Sequence, residues 1–323
     1  MTVLDHLREL LESNKNVFFS GEEIARKLGV SRNAVWKAIK ALQADGYPIQ
    51  AVPNRGYCLA ATSDVLSESG IRRYLCGEAQ SLNLEVYDCV SSTNIVLREL
   101  ANGGAPEGTV VVAATQTGGR GRKGRSFYSP EGTGVYVSIL LKPDIAATEA
   151  TLITTTAAVA VCDAVEAVSD HAPEIKWVND VLIGGKKICG ILTEASLSME
   201  SGRIEYAVLG TGINAYTPEG GFPEEIRSVA GSVFDHPQPD AKNRLIAEYL
   251  NSLLPRYRDL GGNDTIAEYR RRSFVVGRKI TVISGGNETP ATALGVDESC
   301  RLLVEYADGT RDALTSGEIS IRI

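Results

Sequence analysis

Leucines at 4, 7, 10 and 11 recur at helical spacing, so residues 2–14 predict an amphipathic helix. Ser20 is a natural N-cap for a short second helix, Glu22 to Leu28, with Ile24, Ala25 and Leu28 on one side. Gly29-Val30 makes a tight turn, and Ser31 caps a third helix through about Ala44. Its inner face is Val35, Ile39 and Leu42, and its outer face carries Arg32, Asn33, Trp36, Lys37 and Lys40. Ile49–Val52 and Tyr57–Leu59, separated by Pro53-Asn54-Arg55-Gly56, predict a hairpin with Arg55 at its tip. Three helices and a hairpin amount to a winged helix-turn-helix, assigned to residues 1–62.

The polar stretch Ala61-Thr62-Ser63-Asp64 marks a boundary, and from about 82 to 270 strands alternate with helices. Strands are predicted over Leu84–Val90, Thr109–Thr115, Gly134–Leu141 and Tyr206–Leu209, with helices over Thr93–Ala101 and about 149–169. Ile175 to Ile191 reads as strand, turn, strand about Gly184-Gly185, and 241–272 reads as largely helical. Residues 65–272 therefore form a mixed α+β domain. Beyond 273 only short strands remain: Lys279–Ile283, Ala291–Val296, Leu302–Tyr306 and Thr310–Leu314, with Asp308-Gly309 as a hairpin turn. Residues 273–323 thus suggest a small closed barrel, and the whole is an α+β multidomain chain.

Composition narrows the class. The 323 residues are 43% hydrophobic and 23% charged, which argues against global disorder. No apolar run approaches the ~18 residues of a membrane helix, and the opening residues lack the basic-then-apolar form of a signal peptide. The six cysteines form no CxxC pair and only three histidines exist, so a zinc site or a disulfide framework is not expected. A cytoplasmic protein with mostly buried, reduced thiols is the expectation. The net charge is −7, yet two windows are purely basic: five basic residues over 26–44 and four over 118–129. Local charge of this kind admits a nucleic acid partner.

Three windows could carry chemistry. In Gly118-Gly119-Arg120-Gly121-Arg122-Lys123-Gly124-Arg125 the glycines let backbone N–H groups approach an anion, and the basic side chains add charge-assisted bonds to phosphate or carboxylate. The glycine content predicts a mobile loop between two strands. It is neither a P-loop nor a dinucleotide turn, and a solvated basic loop that binds RNA fits the composition equally well. In the second window, Lys176-Trp177-Val178-Asn179-Asp180, the turn at Gly184-Gly185 would fold Lys187 back toward Asn179 and Asp180. A carboxylate for Mg²⁺ among phosphates, an amide for a purine edge and a lysine for an oxyanion would then share one site. An ordinary strand pair with a surface salt bridge reads the same residues equally well. The third, Ser91-Ser92-Thr93-Asn94, is either a plain N-cap or a hydroxyl cluster at a helix start that binds a small polar head group. Gly212-Ile213-Asn214, after a strand, is a weaker signal still, with a plain turn as its alternative reading.

Taken together, Ser92-Thr93-Asn94, Gln116, Gly119 to Arg125, Lys176 to Asp180, Lys187-Ile188-Cys189-Gly190-Ile191-Leu192 and Gly212-Ile213-Asn214 resemble, in order and spacing, the bifunctional biotin–protein ligase and biotin operon repressor family. The resemblance covers essentially the whole chain. It implies a biotin/lipoate ligase fold flanked by the winged helix and an SH3-like barrel. It also implies that biotin and MgATP give biotinyl-5′-AMP, from which biotin passes to a lysine of a biotin carboxyl carrier domain. Carried over by position, Ser92, Thr93, Asn94 and Gln116 would line the biotin pocket, and Arg120, Gly121 and Arg122 would close over biotin and phosphate. Lys187 would contact the biotin carboxylate and α-phosphate. Arg122, Arg125, Phe127, Asn179, Asp180 and Asn214 would serve the nucleotide, and Asp180 its metal. Arg120, Arg122, Lys187 and Asp180 would carry the catalysis. Ser31, Arg32, Asn33, Trp36, Lys37 and Arg55 would read operator DNA as a homodimer formed when adenylate binds, with the adenylate as corepressor. There would be no prosthetic group and no membrane partner.

Two departures from the family stand out. Val178 replaces the usual proline and is expected to adopt the same extended backbone. Phe127 replaces a tryptophan of some relatives; it keeps a stacking face but loses an N–H donor. Rival readings are a lipoate or octanoate ligase, which the Gly-Arg-Gly-Arg loop disfavours, and a small-molecule-sensing regulator without turnover.

Overall fold

The computed structural model describes residues 2–198, 200–284, 287–315 and 318–320. It divides into two compact units, Met1–Tyr74 with His236–Arg244, and Leu75–Asp235 with Leu245–Ile323. The winged-helix and ligase boundary expected at 62–65 thus falls inside the first unit. The end of the expected C-terminal domain, 321–323, lies outside the described residues.

The first unit begins with α1 (Val3–Ser13), α2 (Gly21–Leu28) and α3 (Arg32–Ala44). Thr2 and Ser20 close capping boxes with Asp5 and Glu23, and the Ser31 hydroxyl accepts from Ala34 N. Gly29 ends α2 at φ 67°, where glycine costs nothing. Leu7, Leu11, Ile24, Val35, Ile39 and Leu42 meet in one core with Leu59 of the hairpin β1 (Ile49–Val52) and β2 (Gly56–Leu59). Each such buried side chain contributes roughly 1.5–3 kcal/mol. After α4 (Glu68–Arg72) the unit is completed by residues from far along the chain. Asp240 accepts from Lys15 Nζ at 2.6 Å and from the Tyr74 hydroxyl at 3.1 Å, while Asn243 bonds the Ser67 N–H and the Val65 carbonyl.

The second unit is built on a seven-stranded sheet. Its strands are β3 (Asn83–Val90), β4 (Thr109–Gln116), β5 (Gly134–Leu141), β6 (Glu174–Lys176), β7 (Asp180–Ile183), β8 (Lys186–Leu197) and β9 (Ile204–Asn214), in the order β3-β4-β5-β9-β8-β7-β6. Only β3 and β4 pair in parallel, joined across α5 (Thr93–Asn102). All eight residues of central β5 are buried. The run expected as one strand from Ile175 breaks into β6 and β7, because Trp177-Val178-Asn179 forms a turn of its own with a cis peptide between Trp177 and Val178. Strand β9 is longer than its apolar pattern suggested, so Gly212-Ile213-Asn214 ends a strand and is not a turn.

Behind the sheet lies α6 (Thr151–Val168), and with the turn before it, Ala147–Val168 has the length and mean hydropathy, 1.5, of a membrane-crossing helix. The expectation that no apolar run is long enough is corrected here. Small residues such as Ala157, Ala158, Ala160 and Ala164 kept the run from standing out, and they are buried as core. Helices α7 (Glu224–Arg227), α8 (Ala241–Arg258) and α9 (Asn263–Arg271) follow. Arg272, after α9, is buried with its guanidinium on Asp163 and Glu166 of α6 and on Glu268. Its carbonyl accepts from Ile175 N at 2.7 Å, which ties α6, α9 and edge strand β6 together. The rest is an antiparallel sheet of β10 (Lys279–Ser284), β11 (Asn287–Val296), β12 (Leu302–Tyr306), β13 (Arg311–Leu314) and β14 (Glu318–Ser320), paired in the order β13-β12-β11-β10-β14. All six cysteines are free thiols; Cys58, Cys162, Cys189 and Cys300 are buried, and Cys76 and Cys89 are exposed.

Candidate active site

Side chains alternate across a sheet, so every second residue shares a face. On one face of the central strands stand Tyr136 and Ser138 of β5, Gly210 and Gly212 of β9, and Gly190 and Leu192 of β8. The register places Ser138 opposite Gly210, Tyr136 opposite Gly212, Gly212 opposite Gly190, and Gly210 opposite Leu192. The three glycines leave a hollow, which the start of α5 and the glycine-rich loop roof over. The resulting pocket, about 490 Å³ including space open to solvent, is lined by Ser92, Thr93, Asn94, Gln116, Arg120, Gly121, Arg122, Asn179 and Lys187 among others. All eight residues expected to hold biotin are thus brought together.

Hydrogen bonds fix this lining. Ser92 occupies the N-cap of α5 without capping it through its side chain, so the plain N-cap explanation fails. Gln116 accepts from Thr93 N at 2.8 Å and donates to the Ser129 hydroxyl at 3.1 Å, which donates to the Phe127 carbonyl. Asn94 accepts from the Ser138 hydroxyl at 2.6 Å and donates to Glu194 at 2.8 Å. Sequence reasoning missed Ser138 and Glu194. Ser138 had a signal, as the one serine in the otherwise apolar and aromatic run Gly134–Leu141. Glu194 had none, since its partners come from distant segments: Arg98 at 2.6 Å and Arg120 at 3.2 Å. Arg120, expected to close over the ligand, has its guanidinium on that carboxylate at the pocket wall.

The loop itself makes a short turn over Arg122–Gly124, pinned by an Arg120–Ser126 bridge. Arg122 donates to Asn179 Oδ1 at 2.9 Å, and Asn179 donates in turn to Asp180 and to the Ile191 carbonyl, both at 3.1 Å. Lys187 reaches Asp180 at 2.7 Å, as the Gly184-Gly185 turn predicted. The turn bearing Asn179 is held from behind: the Tyr269 hydroxyl donates to the Val178 carbonyl, and the Trp177 indole N–H donates to the carbonyl of Cys300, in the connection between β11 and β12. Burial pushes the Tyr136, Tyr249 and Tyr269 hydroxyls and the Cys189 thiol up, so none is a ready base or nucleophile near neutral pH.

Phe127 lies over the paired glycines. A Cβ at Gly212 would come within 2.7 Å of its ring and one at Gly190 within 3.0 Å. Phe127 and Lys187 also border two further cavities. One, about 470 Å³, is an apolar slot lined by Tyr128, Phe222, Ile226, Val229 and Ala230 with Asn214 as a polar group. Asn214 donates to the Gly231 carbonyl at 2.9 Å, which leaves its own carbonyl to accept. The other, about 690 Å³, is a cationic cleft with Arg122, Lys123, Arg125, Lys176, Lys187, Asn179 and Asp180. Among the described residues no group of three or more His, Cys, Asp and Glu could hold a metal, so Asp180 is a lone carboxylate. One carboxylate with substrate phosphates is a usual Mg²⁺ arrangement, and the site fits a metal in that form only.

In the first unit Ser31, Arg32, Asn33, Trp36 and Lys37 are exposed on or beside the outer face of α3, with Trp36 50% exposed. Trp36 is therefore not core. Arg55 is exposed at the wing, with its guanidinium stacked 4.1 Å from the Phe18 ring.

A helix-turn-helix unit and a glycine-floored pocket roofed by a cationic loop define the class, that of a ligase with a DNA-binding module. Family models agree: residues 3–58 match the HTH domain, 86–214 the biotin/lipoate A/B protein ligase family, and 275–322 the biotin protein ligase C terminal domain. The chain is 37% identical over 314 residues to the bifunctional ligase/repressor BirA of Bacillus subtilis, covering 96% of both. It is 27% identical to that of Escherichia coli, covering 94% of this chain and 93% of the relative. Among solved structures, the Aquifex aeolicus biotin protein ligase in complex with biotin and ATP aligns with TM-score 0.61 at 26% identity, covering 74% of this chain and 98% of that one. The chain belongs to the bifunctional biotin ligase/repressor family.

Proposed function

We propose that this protein condenses biotin with MgATP to biotinyl-5′-AMP, passes biotin to a lysine of a biotin carboxyl carrier domain, and represses transcription with the adenylate as corepressor. The observation that carries the reading is the meeting of three cavities at Lys187 and Phe127. Biotin occupies the glycine-floored pocket, held by Ser92, Thr93, Asn94 and Gln116, with its carboxylate toward Arg120, Arg122 and Lys187. Adenine takes the apolar slot beside Phe127, its amino group donating to the Asn214 carbonyl. Asn179 and Asp180 face the phosphates with Arg125.

A carboxylate approaching a triphosphate meets like charge, and Arg122 and Lys187 offset it where charge develops at phosphorus. Bound Mg²⁺ on Asp180 would supply Lewis-acid neutralisation of phosphate oxygens. Roofing by the loop keeps water from the mixed anhydride. In the transfer step Lys187 stabilises the carbonyl oxygen as the acceptor amine attacks.

On the first unit, α3 offers Arg32, Asn33, Trp36 and Lys37 to a major groove, with Ser31 and Arg55 on the backbone. Pairing of two adenylate-bound copies over a palindromic site, in the cytoplasm, completes the reading. Mass spectrometry of the protein after incubation with biotin and MgATP tests it. A retained biotinyl-AMP is expected, and none retained or released, with no ATP–pyrophosphate exchange, would leave only a sensor or a different ligase.

A further inference from the structure

One carboxylate joins three parts of the candidate site. Gly190, Leu192 and Glu194 alternate onto the same face of β8. Glu194 is not among the residues that line the glycine-floored pocket, yet it holds two that are. Its Oε2 accepts from Asn94 Nδ2 at 2.8 Å, while Oε1 meets Arg98 at 2.6 Å and Arg120 at 3.2 Å. Asn94 and Arg98 stand four residues apart on α5, where side chains share a face, and Arg120 comes from the glycine-rich loop.

Proton counting from this carboxylate fixes a chain of hydrogen bonds. Glu194, ion-paired with both arginines, only accepts, so Asn94 must turn its amide nitrogen to Glu194 and its carbonyl to Ser138. The same nitrogen stands 3.4 Å from the Leu192 carbonyl, a partner for its second N–H. Ser138 has one proton, and the 2.6 Å contact with Asn94 Oδ1 must use it, since that oxygen cannot donate. The 2.7 Å contact between the Ser138 and Thr93 hydroxyls then takes the Thr93 proton, whose oxygen lies farther, 3.2 Å, from Gln116 Oε1. Asn94 and Thr93 therefore offer the pocket oxygen lone pairs and no side-chain proton.

We propose that Glu194 is a positioning residue whose charge sets the donor and acceptor polarity of Asn94, Ser138 and Thr93, so that the pocket turns acceptors toward the ureido N–H groups of biotin. The inference rests on the ligase reading above. A neutral amide at position 194 donates as readily as it accepts. Asn94 can then turn over, reverse the Ser138 and Thr93 protons, and set N–H and O–H groups against the N–H groups of the ligand. Ser138 is wholly buried, so its effect on the ligand passes through Asn94 and Thr93.

The test titrates the full-length protein with biotin and with biotin methyl ester in a calorimeter. The ester keeps the ureido ring and lacks the carboxylate that Arg120 would meet. Glu194→Gln should weaken both ligands by the same factor, about tenfold, the worth of one well-made hydrogen bond. Ser138→Ala cuts the same chain and should weaken both alike, and the double variant should bind no worse than the weaker single one, because the two changes act on one unit. A loss for biotin alone in Glu194→Gln would mean that Glu194 acts only through Arg120, and multiplying losses in the double variant would mean two independent roles; either overturns the inference. Ser138→Ala leaves Glu194 and both arginines in place, so it decides the matter where Glu194→Gln does not fold: unchanged affinity for both ligands in it overturns the inference as well. Wild-type protein that binds neither ligand overturns the ligase reading and this inference with it.

Discussion

Gly210 carries the tightest steric constraint in the pocket floor. A Cβ there would lie 2.1 Å from Asn94 Oδ1, the atom that accepts from Ser138. Gly210→Ala should therefore swing the Asn94 amide away from Ser138 and Glu194. Biotin affinity, read by titration calorimetry, should fall at least about tenfold, and stability by about 1–3 kcal/mol from overpacking. Affinity unchanged within twofold would show that Asn94 does not shape the site. At this scale the sequence was informative wherever a residue type was costly on a bland background: the arginines among glycines of 119–125, and Asn179-Asp180 beside Trp177. It was silent where the role depends on a partner brought from afar. Glu194 looks like any strand carboxylate until Arg98 and Arg120 are folded onto it.

Elements set how firmly those residues are held. The loop after β4 reaches the turn after β6 through the side-chain bond from Arg122 to Asn179. Arg122→Gly should cut that tether and let adenylate escape, so that lysines of a bystander protein become labelled by released biotinyl-AMP. Release no faster than wild type would remove Arg122 from the closure. On the far side of the sheet, the Arg272 cluster ties α6 and α9 to β6. Hydrogen bonds from Arg272 hold Glu166 below the usual glutamate value of 4.5, and those of Arg271 do the same for Glu268. A carboxyl depressed on folding stabilises fully above its unfolded value, and that contribution is lost as pH falls through the folded one. The melting temperature should thus drop on acidification below about pH 4.5, and less steeply in Glu166→Gln, which is already without the ion pair. Equal slopes by scanning calorimetry would place the acid sensitivity elsewhere. Helices α1 to α3 and strand β5 were legible because capping boxes and unbroken apolar periods act locally. The division of β6 from β7 was not, because the Trp177–Asn179 turn is fixed by Tyr269 and Cys300, far along the chain.

At the scale of the whole molecule, a helix-turn-helix and a ligase pocket on one chain predict that ligand occupancy is read out on DNA. A gel shift on operator DNA should show tighter binding with biotin plus ATP than with neither, and equal affinity in both states would sink the corepressor role. Sequence pattern foresaw the three kinds of architecture in order, because each has its own hydrophobic period. It did not foresee that residues 236–244 complete the first unit, since Asp240 and Asn243 carry no periodic signature. The shared wall of Phe127 and Lys187 has a pharmacological corollary. A compound spanning the glycine-floored hollow and the apolar slot would press on the ring and ammonium that the proposed reading gives to both reactants. Resistance by substitution at either position would then come at the expense of turnover.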